Sequence, residues 1–259
     1  MIKSNTIIIF LFLIFTSCAP VTYYQLYETK SVGSTQNKHY TVFEDEYCRL
    51  SYDLWSKGGD AGFTIYNKTD DYITLDLSKS FFVVNGEVYD YYLDRRYTVS
   101  SGATVSAGGA QSIPYYWSTG TLAVGASSST SSSSSISEKD TRILPPKTYL
   151  KIKQFAITNF RYRDCDFVSY PASDKFSTVT FEPSESPYHF YNLINYLIDD
   201  SVSVEMKNEF YVEKISNYPK KLFIGYYDKG KCGETYRYAM PFFMHSGSDK
   251  FYLEYKRAM

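Results

Sequence analysis

The sequence predicts an all-β protein: an antiparallel β-sandwich, immunoglobulin-like in kind, interrupted by a long Ser-rich insertion. Three observations predict it. The 259 residues include 28 Tyr and 18 Phe, and aromatic side chains suit the pleated, half-buried surface of a sheet. Several short runs alternate apolar and polar residues with the two-residue period of a strand. No helix-rich stretch lies between those runs, which argues against a parallel sheet of βαβ units.

The first element is not part of that fold. Lys3 is followed by the nine apolar residues Ile7 to Phe15 and then by Thr16-Ser17-Cys18. A basic start, a short greasy core, small residues and a cysteine form the order of a bacterial lipoprotein signal. Nine residues are too few to span a bilayer as a helix. The expectation is a signal peptide over residues 1–17, cleavage before Cys18, and lipid (palmitoyl included) on that residue. Residues 18–38 are polar and aperiodic around Thr29 to Gln36, so they read as a tether. The sandwich domain is expected over residues 39–259.

Gly62-Phe63-Thr64-Ile65-Tyr66 alternates, and Asn67 to Asp71 supplies turn residues. Ile73, Leu75 and Leu77 then share one face of the next strand, with Thr74 and Asp76 on the other. The sharpest local signal is Phe81 to Val84, Asn85-Gly86, Glu87 to Tyr89. Asn-Gly accepts positive φ at both central positions of a type I′ hairpin. That loop sets Val84 opposite Glu87, Val83 opposite Val88 and Phe82 opposite Tyr89. Residues 98–139, with the serine tract Ser127 to Ser135 among glycines, read as a flexible insertion. Its apolar islands include Tyr115, Tyr116 and Trp117, the candidate partner contact.

Arg142 to Lys147 carries a Pro-Pro turn that suits a sandwich edge. Strands are expected at Phe176–Phe181, Val202–Met206, Phe210–Ile215, Leu222–Tyr227 and Phe251–Tyr255. His189 to Ile198 fits two patterns. Phe190, Leu193, Ile194 and Leu197 make a helical stripe; Phe190, Asn192, Ile194 and Tyr196 make a strand face. The strand is the reading taken.

Function classes narrow by exclusion. A net charge of −1 gives no basic surplus for nucleic acid and none for a polybasic membrane patch. After Cys18 three cysteines remain, Cys48, Cys165 and Cys232. An oxidising envelope permits one disulfide and leaves one thiol over. Cys48 with Cys165 is the pairing expected, because it closes a long loop and long loops gain most in the entropy model. No metal or cofactor is expected, since His39, His189 and His245 have no metal-ligand spacing.

Gly225 to Cys232 matches GxxxxGK with Cys in place of Ser or Thr. No helix opens after it to hold a phosphate, so it reads as a hairpin loop. Met244 to Asp249 contains Ser, His and Asp but reads as a polar loop, because a triad is assembled across a fold. The acids of Glu44-Asp45-Glu46, Asp164/Asp166 and Asp199-Asp200 read as solvated turns.

Several phrases resemble envelope lipoproteins of Bacteroidales-type gut bacteria. They are Ala19 to Gln25, Tyr52-Asp53-Leu54-Trp55, Phe63 to Thr69, Lys79 to Gly86, Leu144 to Lys147 and Phe210-Tyr211-Val212. The resemblance implies location and fold. In such bacteria surface-displayed lipoproteins tend to carry acids just after the lipid cysteine; residues 19–25 hold none. The implied place is the outer membrane, facing the periplasm. The functional expectation is a non-catalytic binding or scaffolding protein, held to the membrane through Cys18, with a protein or glycan partner. Two alternatives stand beside it: carbohydrate binding by exposed Tyr with Trp55 or Trp117, and hydrolysis by an acidic pair.

Overall fold

The computed structural model describes residues 21–36, 39–100, 133–229 and 235–257. The fold is nearly all antiparallel β, with curled sheets packed as a sandwich. One sheet is built around a spine, β14 (Val202–Pro219). Its first half pairs with β13 (His189–Ile198) and its second half with β1 (Thr22–Ser31). Outward from β13 come β6 (Ile73–Val84) and β10 (Thr141–Leu144); beyond β1 comes β17 (Lys250–Lys256). The short strands β7 (Glu87–Asp90) and β12 (Ser177–Thr180) pair with β6 and β14. The second sheet runs β11 (Tyr149–Ile152), β5 (Phe63–Asn67), β4 (Cys48–Tyr52), β3 (Thr41–Glu44), β2 (Thr35–Gln36).

The core between the sheets is aromatic. Phe210 stacks on Phe190 at 5.1 Å and meets Phe43 and Tyr52 edge-on at 5.3 and 5.2 Å. Buried phenols need partners, and polar residues cross the core to supply them. The Tyr52 hydroxyl donates to Asn208 Oδ1 at 2.7 Å, Tyr91 to Asn192 Oδ1 at 2.6 Å, and Tyr196 to Asp45 Oδ2 at 2.6 Å. These bonds explain why β14 is one strand where two were expected. The polar stretch Lys207-Asn208-Glu209 looked like a break, but Asn208 is fully buried and serves Tyr52.

Local pattern and observed structure agree at several places. The hairpin at Asn85-Gly86 has the three expected cross-strand pairs, with φ of 49° and 84° at the turn. β13 buries Phe190, Asn192, Ile194 and Tyr196, the strand face. Asp199 and Asp200 are a left-handed turn joining β13 to β14.

The tether expected over residues 18–38 is corrected. Residues 22–31 form β1, an interior strand of the larger sheet, flanked by β14 and β17. Both of its faces are covered: Tyr23, Gln25 and Tyr27 on one, Tyr24 and Leu26 on the other, all buried. A strand buried on both faces shows no polar/apolar alternation, so periodicity could not find it.

The insertion is also narrower than expected. Its ends pair as β8 (Arg96–Ser100) and β9 (Ser133–Ser137), from Arg96 opposite Ser137 to Ser100 opposite Ser133. The base is clamped by Glu138, whose carboxylate pairs with Arg95 at 3.1 Å and accepts the Leu93 and Arg95 N–H groups.

One long segment without strands, residues 153–176, crosses the inner face of β1, β14 and β17. Its peptide groups are met by side chains of the sheet. Gln25 Nε2 donates to the Tyr162 carbonyl at 3.1 Å and Gln25 Oε1 accepts the Tyr162 N–H at 2.8 Å. Asn217, opposite Gln25 in the ladder, donates to the Val168 carbonyl at 2.9 Å. The amides thus do for this segment what a neighbouring strand does elsewhere, satisfying backbone groups that burial leaves without water.

Candidate interaction surface

At the end of the sheet where β1 begins, β14 ends at Pro219, opposite Tyr23. A one-turn helix, α1 (Lys220–Phe223), follows. Phe223 is fully buried and stacks on Tyr24 at 4.5 Å. Around it stand Tyr252, Tyr218, Trp55 and Phe243, with Phe243 at 4.8 Å from Tyr252 and 5.3 Å from Trp55. His245 stacks on Tyr218 at 4.5 Å. Its Nε2 lies 2.9 Å from the Leu222 carbonyl, which can only accept, so the proton sits on Nε2. This aromatic plinth lies on the outer face of the sheet, apart from the sandwich core.

From the plinth extends a two-stranded ribbon, β15 (Ile224–Lys229) with β16 (Thr235–Phe243), separate from both large sheets. The register pairs Ile224 with Phe243, Gly225 with Phe242, Tyr226 with Pro241 and Tyr227 with Met240. Directly opposed residues share a face. One face therefore carries Tyr227, Met240 and Phe242; Tyr226 lies on the other, and Tyr238 falls within the register shift that follows. All five are exposed, Tyr238 to 73%. The Phe242 ring lies over Gly225, where a Cβ would come within 2.4 Å of it. That glycine is needed for the close approach. Exposed Tyr, Met and Phe side chains grouped on one small element make this ribbon the candidate interaction surface.

The sequence-predicted sites fall as follows. Cys18 and Tyr115, Tyr116 and Trp117 lie outside the described residues. The expected Cys48–Cys165 disulfide is corrected: both thiols are free, Cys48 buried and Cys165 exposed. Burial, then the nearby Asp45 carboxylate, pushes the Cys48 thiol up to about 12, which removes it as a nucleophile. The phosphate-loop-like string starts inside β15; residues 230–232 of it lie outside the described residues. Trp55 is half-buried in the plinth, so its ring is no open platform for a sugar. Among the described residues no group of three or more His, Cys, Asp or Glu is placed to hold a metal ion.

Half-buried Asp45 and buried Asp60 are taken up by structure. Asp45 accepts from Tyr196 and from the Tyr47 and Cys48 N–H groups. Asp60 pairs with Lys153 at 2.9 Å and accepts the Gly62 N–H. A shallow cleft of about 400 Å³ has Glu182, Glu185, Glu213 and Lys214 on its walls, but Glu182 and Glu185 stand in solvent. Glu213 lies 3.7 Å from Lys30.

The sequence reading expects a strand at Leu222–Tyr227 and assigns no element to the residues of β16. The signal that could have found the surface is the aromatic density of residues 236–243 combined with Pro241, which suits an edge. No family model, curated protein or solved structure matches the chain. Among the described residues no helix is long and apolar enough to cross a membrane.

Proposed function

We propose that the chain is a lipid-anchored protein of the bacterial envelope, attached through Cys18 on the periplasmic side of the outer membrane, that binds or scaffolds a partner without catalysis. The observation that carries the binding role is the exposed Tyr/Met/Phe face of the β15–β16 ribbon, set on a rigid sandwich. Rigid frames that present a projecting contact element suit recognition, and the immunoglobulin-like reading of the sandwich belongs to this same proposal. The order of residues 1–18 and the resemblance to envelope lipoproteins support the anchor.

Two measurements test the proposal. A fatty-acid analogue should label the wild-type protein in cells and leave Cys18→Ser unlabelled; equal labelling defeats the anchor. Hydroxyl-radical footprinting should modify Tyr226, Tyr227 and Tyr238 less in intact envelopes than in purified protein. Equal modification would show that the ribbon contacts nothing.

A further inference from the structure

We infer that the ribbon docks on an anionic lipid surface, the one to which the anchor holds the protein. The inference rests on the anchor reading above and names the partner of the same surface.

The first argument is distance. Cys18 stands four residues before Thr22, the first residue of β1. Four extended residues reach about 14 Å at most. A lipid on Cys18 thus holds this end of the sheet against the bilayer. Thr22 is paired with Lys256, and Tyr23 with Pro219, the residue that leads into α1 and the ribbon. The plinth is therefore built on the strand end that the anchor tethers. A tether so short keeps the effective concentration of lipid surface high, so weak contacts suffice.

Charge is the second argument. The chain as a whole carries −1, yet Lys220 and Lys221 stand together, both exposed, in the turn of helix that leads into the ribbon. Lys220, Lys221, Lys256 and Arg257 are exposed at the same end, against Glu254 on that edge and Asp53 beside Trp55 of the plinth. Chain-wide balance hid this asymmetry. Basic residues near an anionic surface are drawn to it, and salt screens the attraction.

The third is side-chain type. Tyr and Met beside lysines make an amphipathic surface: rings and thioethers enter the headgroup region while phenols and ammonium groups stay in water.

The test uses the chain from Ala19 onward, exported behind a cleavable signal that adds no lipid, so that every described strand is kept. It is co-sedimented with phosphatidylcholine vesicles with and without phosphatidylglycerol. The expected result is binding that needs the anionic lipid and weakens with salt. Lys220→Glu with Lys221→Glu should lower partitioning by about tenfold or more. Tyr238→Ser with Met240→Ser should lower it several-fold, while Tyr149→Ser, exposed on the other sheet, should leave it unchanged. Circular dichroism matching wild type shows that each variant is folded. Equal partitioning of the ribbon variants and wild type overturns the inference, as does indifference to anionic lipid. A lipid-free dimer dispersed by Tyr238→Ser with Met240→Ser would assign the face to a second copy and overturn it too. The mass of the N-terminal peptide from cells is read separately. An unmodified Cys18 defeats the anchor and leaves the vesicle result to stand on its own, so the two failures are distinguishable.

Discussion

Gln25→Leu is the substitution that probes the corrected role of β1 most directly. The Gln25 amide is fully buried and makes four bonds. Its Nε2 donates to the Tyr162 carbonyl and to Asn217 Oδ1, at 3.1 and 2.9 Å; its Oε1 accepts from the Tyr162 N–H and the Tyr27 hydroxyl. Leucine removes all four. The Tyr162 N–H keeps the Tyr27 hydroxyl oxygen at 3.1 Å, and that hydroxyl has the Phe160 carbonyl at 3.5 Å in reserve. The Tyr162 carbonyl and Asn217 Oδ1 have no such substitute among the bonds described. Each orphaned buried group costs about 1–3 kcal/mol, and the added apolar burial returns roughly 1 kcal/mol. The expected loss is about 1–5 kcal/mol in equilibrium urea unfolding followed by circular dichroism. Because the segment at residues 153–176 loses its grip on the sheet, trypsin should also cut after Arg161 and Arg163 faster. Asn217→Leu in the same background should cost less than it does alone, with a coupling of about 0.5–3 kcal/mol. A loss below about 1 kcal/mol, or strict additivity, would refute the account of the paired amides as the strand's substitute for a neighbour.

Other outcomes follow from the same structure. Burial raises the phenols of Tyr27, Tyr52, Tyr91 and Tyr196 above the ordinary value of 10.0. Their stabilising contribution is complete below that value and is lost as pH rises from it toward the folded values. Phenolate absorbance should therefore rise in two phases, the second coinciding with unfolding; one phase near pH 10 would contradict the buried core. For Glu28, burial works upward, but Lys214 and Lys250 outweigh it and lower the carboxyl below 4.5. Its contribution is present above that value and lost as pH falls through the lowered one. Glu28→Gln should accordingly flatten the acid limb of the stability profile. Brief alkylation of the native protein should mark Cys165 and spare Cys48 until denaturant is added, read by peptide mass; early marking of Cys48 would contradict its burial. Gly86→Ala meets nothing within 4 Å but sits at φ +84°, so the thermal midpoint should fall by the equivalent of about 1 kcal/mol of backbone strain.

Legibility followed the range of the interactions. The hairpin at Asn85-Gly86 was readable to the level of paired residues, because its turn chemistry is local. β5 and the first half of β6 were readable because one face of each is buried and periodicity records that. Asp76 departs from the pattern: it is buried on the side read as polar, and its carboxylate accepts the Ser78 N–H and pairs with Lys79 at 3.3 Å. β1 was missed for the opposite reason, since a strand covered on both faces has no polar side to give a period. The free thiols were missed because cysteine count and loop length say nothing about where two sulfurs end up. The ribbon was visible as aromatic residues, but not as a surface.

What the sequence determined by itself is the class of the fold, its turns, and the short greasy segment that ends at Cys18. These depend on neighbours a few residues apart, whose spacing is fixed by the covalent chain. What the tertiary structure decided is which polar side chains go inside, which strand becomes the spine, and which end of the sheet gathers Thr22, Pro219, Lys220, Lys221 and the ribbon. Those juxtapositions join residues nearly two hundred positions apart. They are set by the competition among sheet pairings to bury aromatic surface while leaving no peptide group without a partner, and that competition has no signature in any local window of the chain.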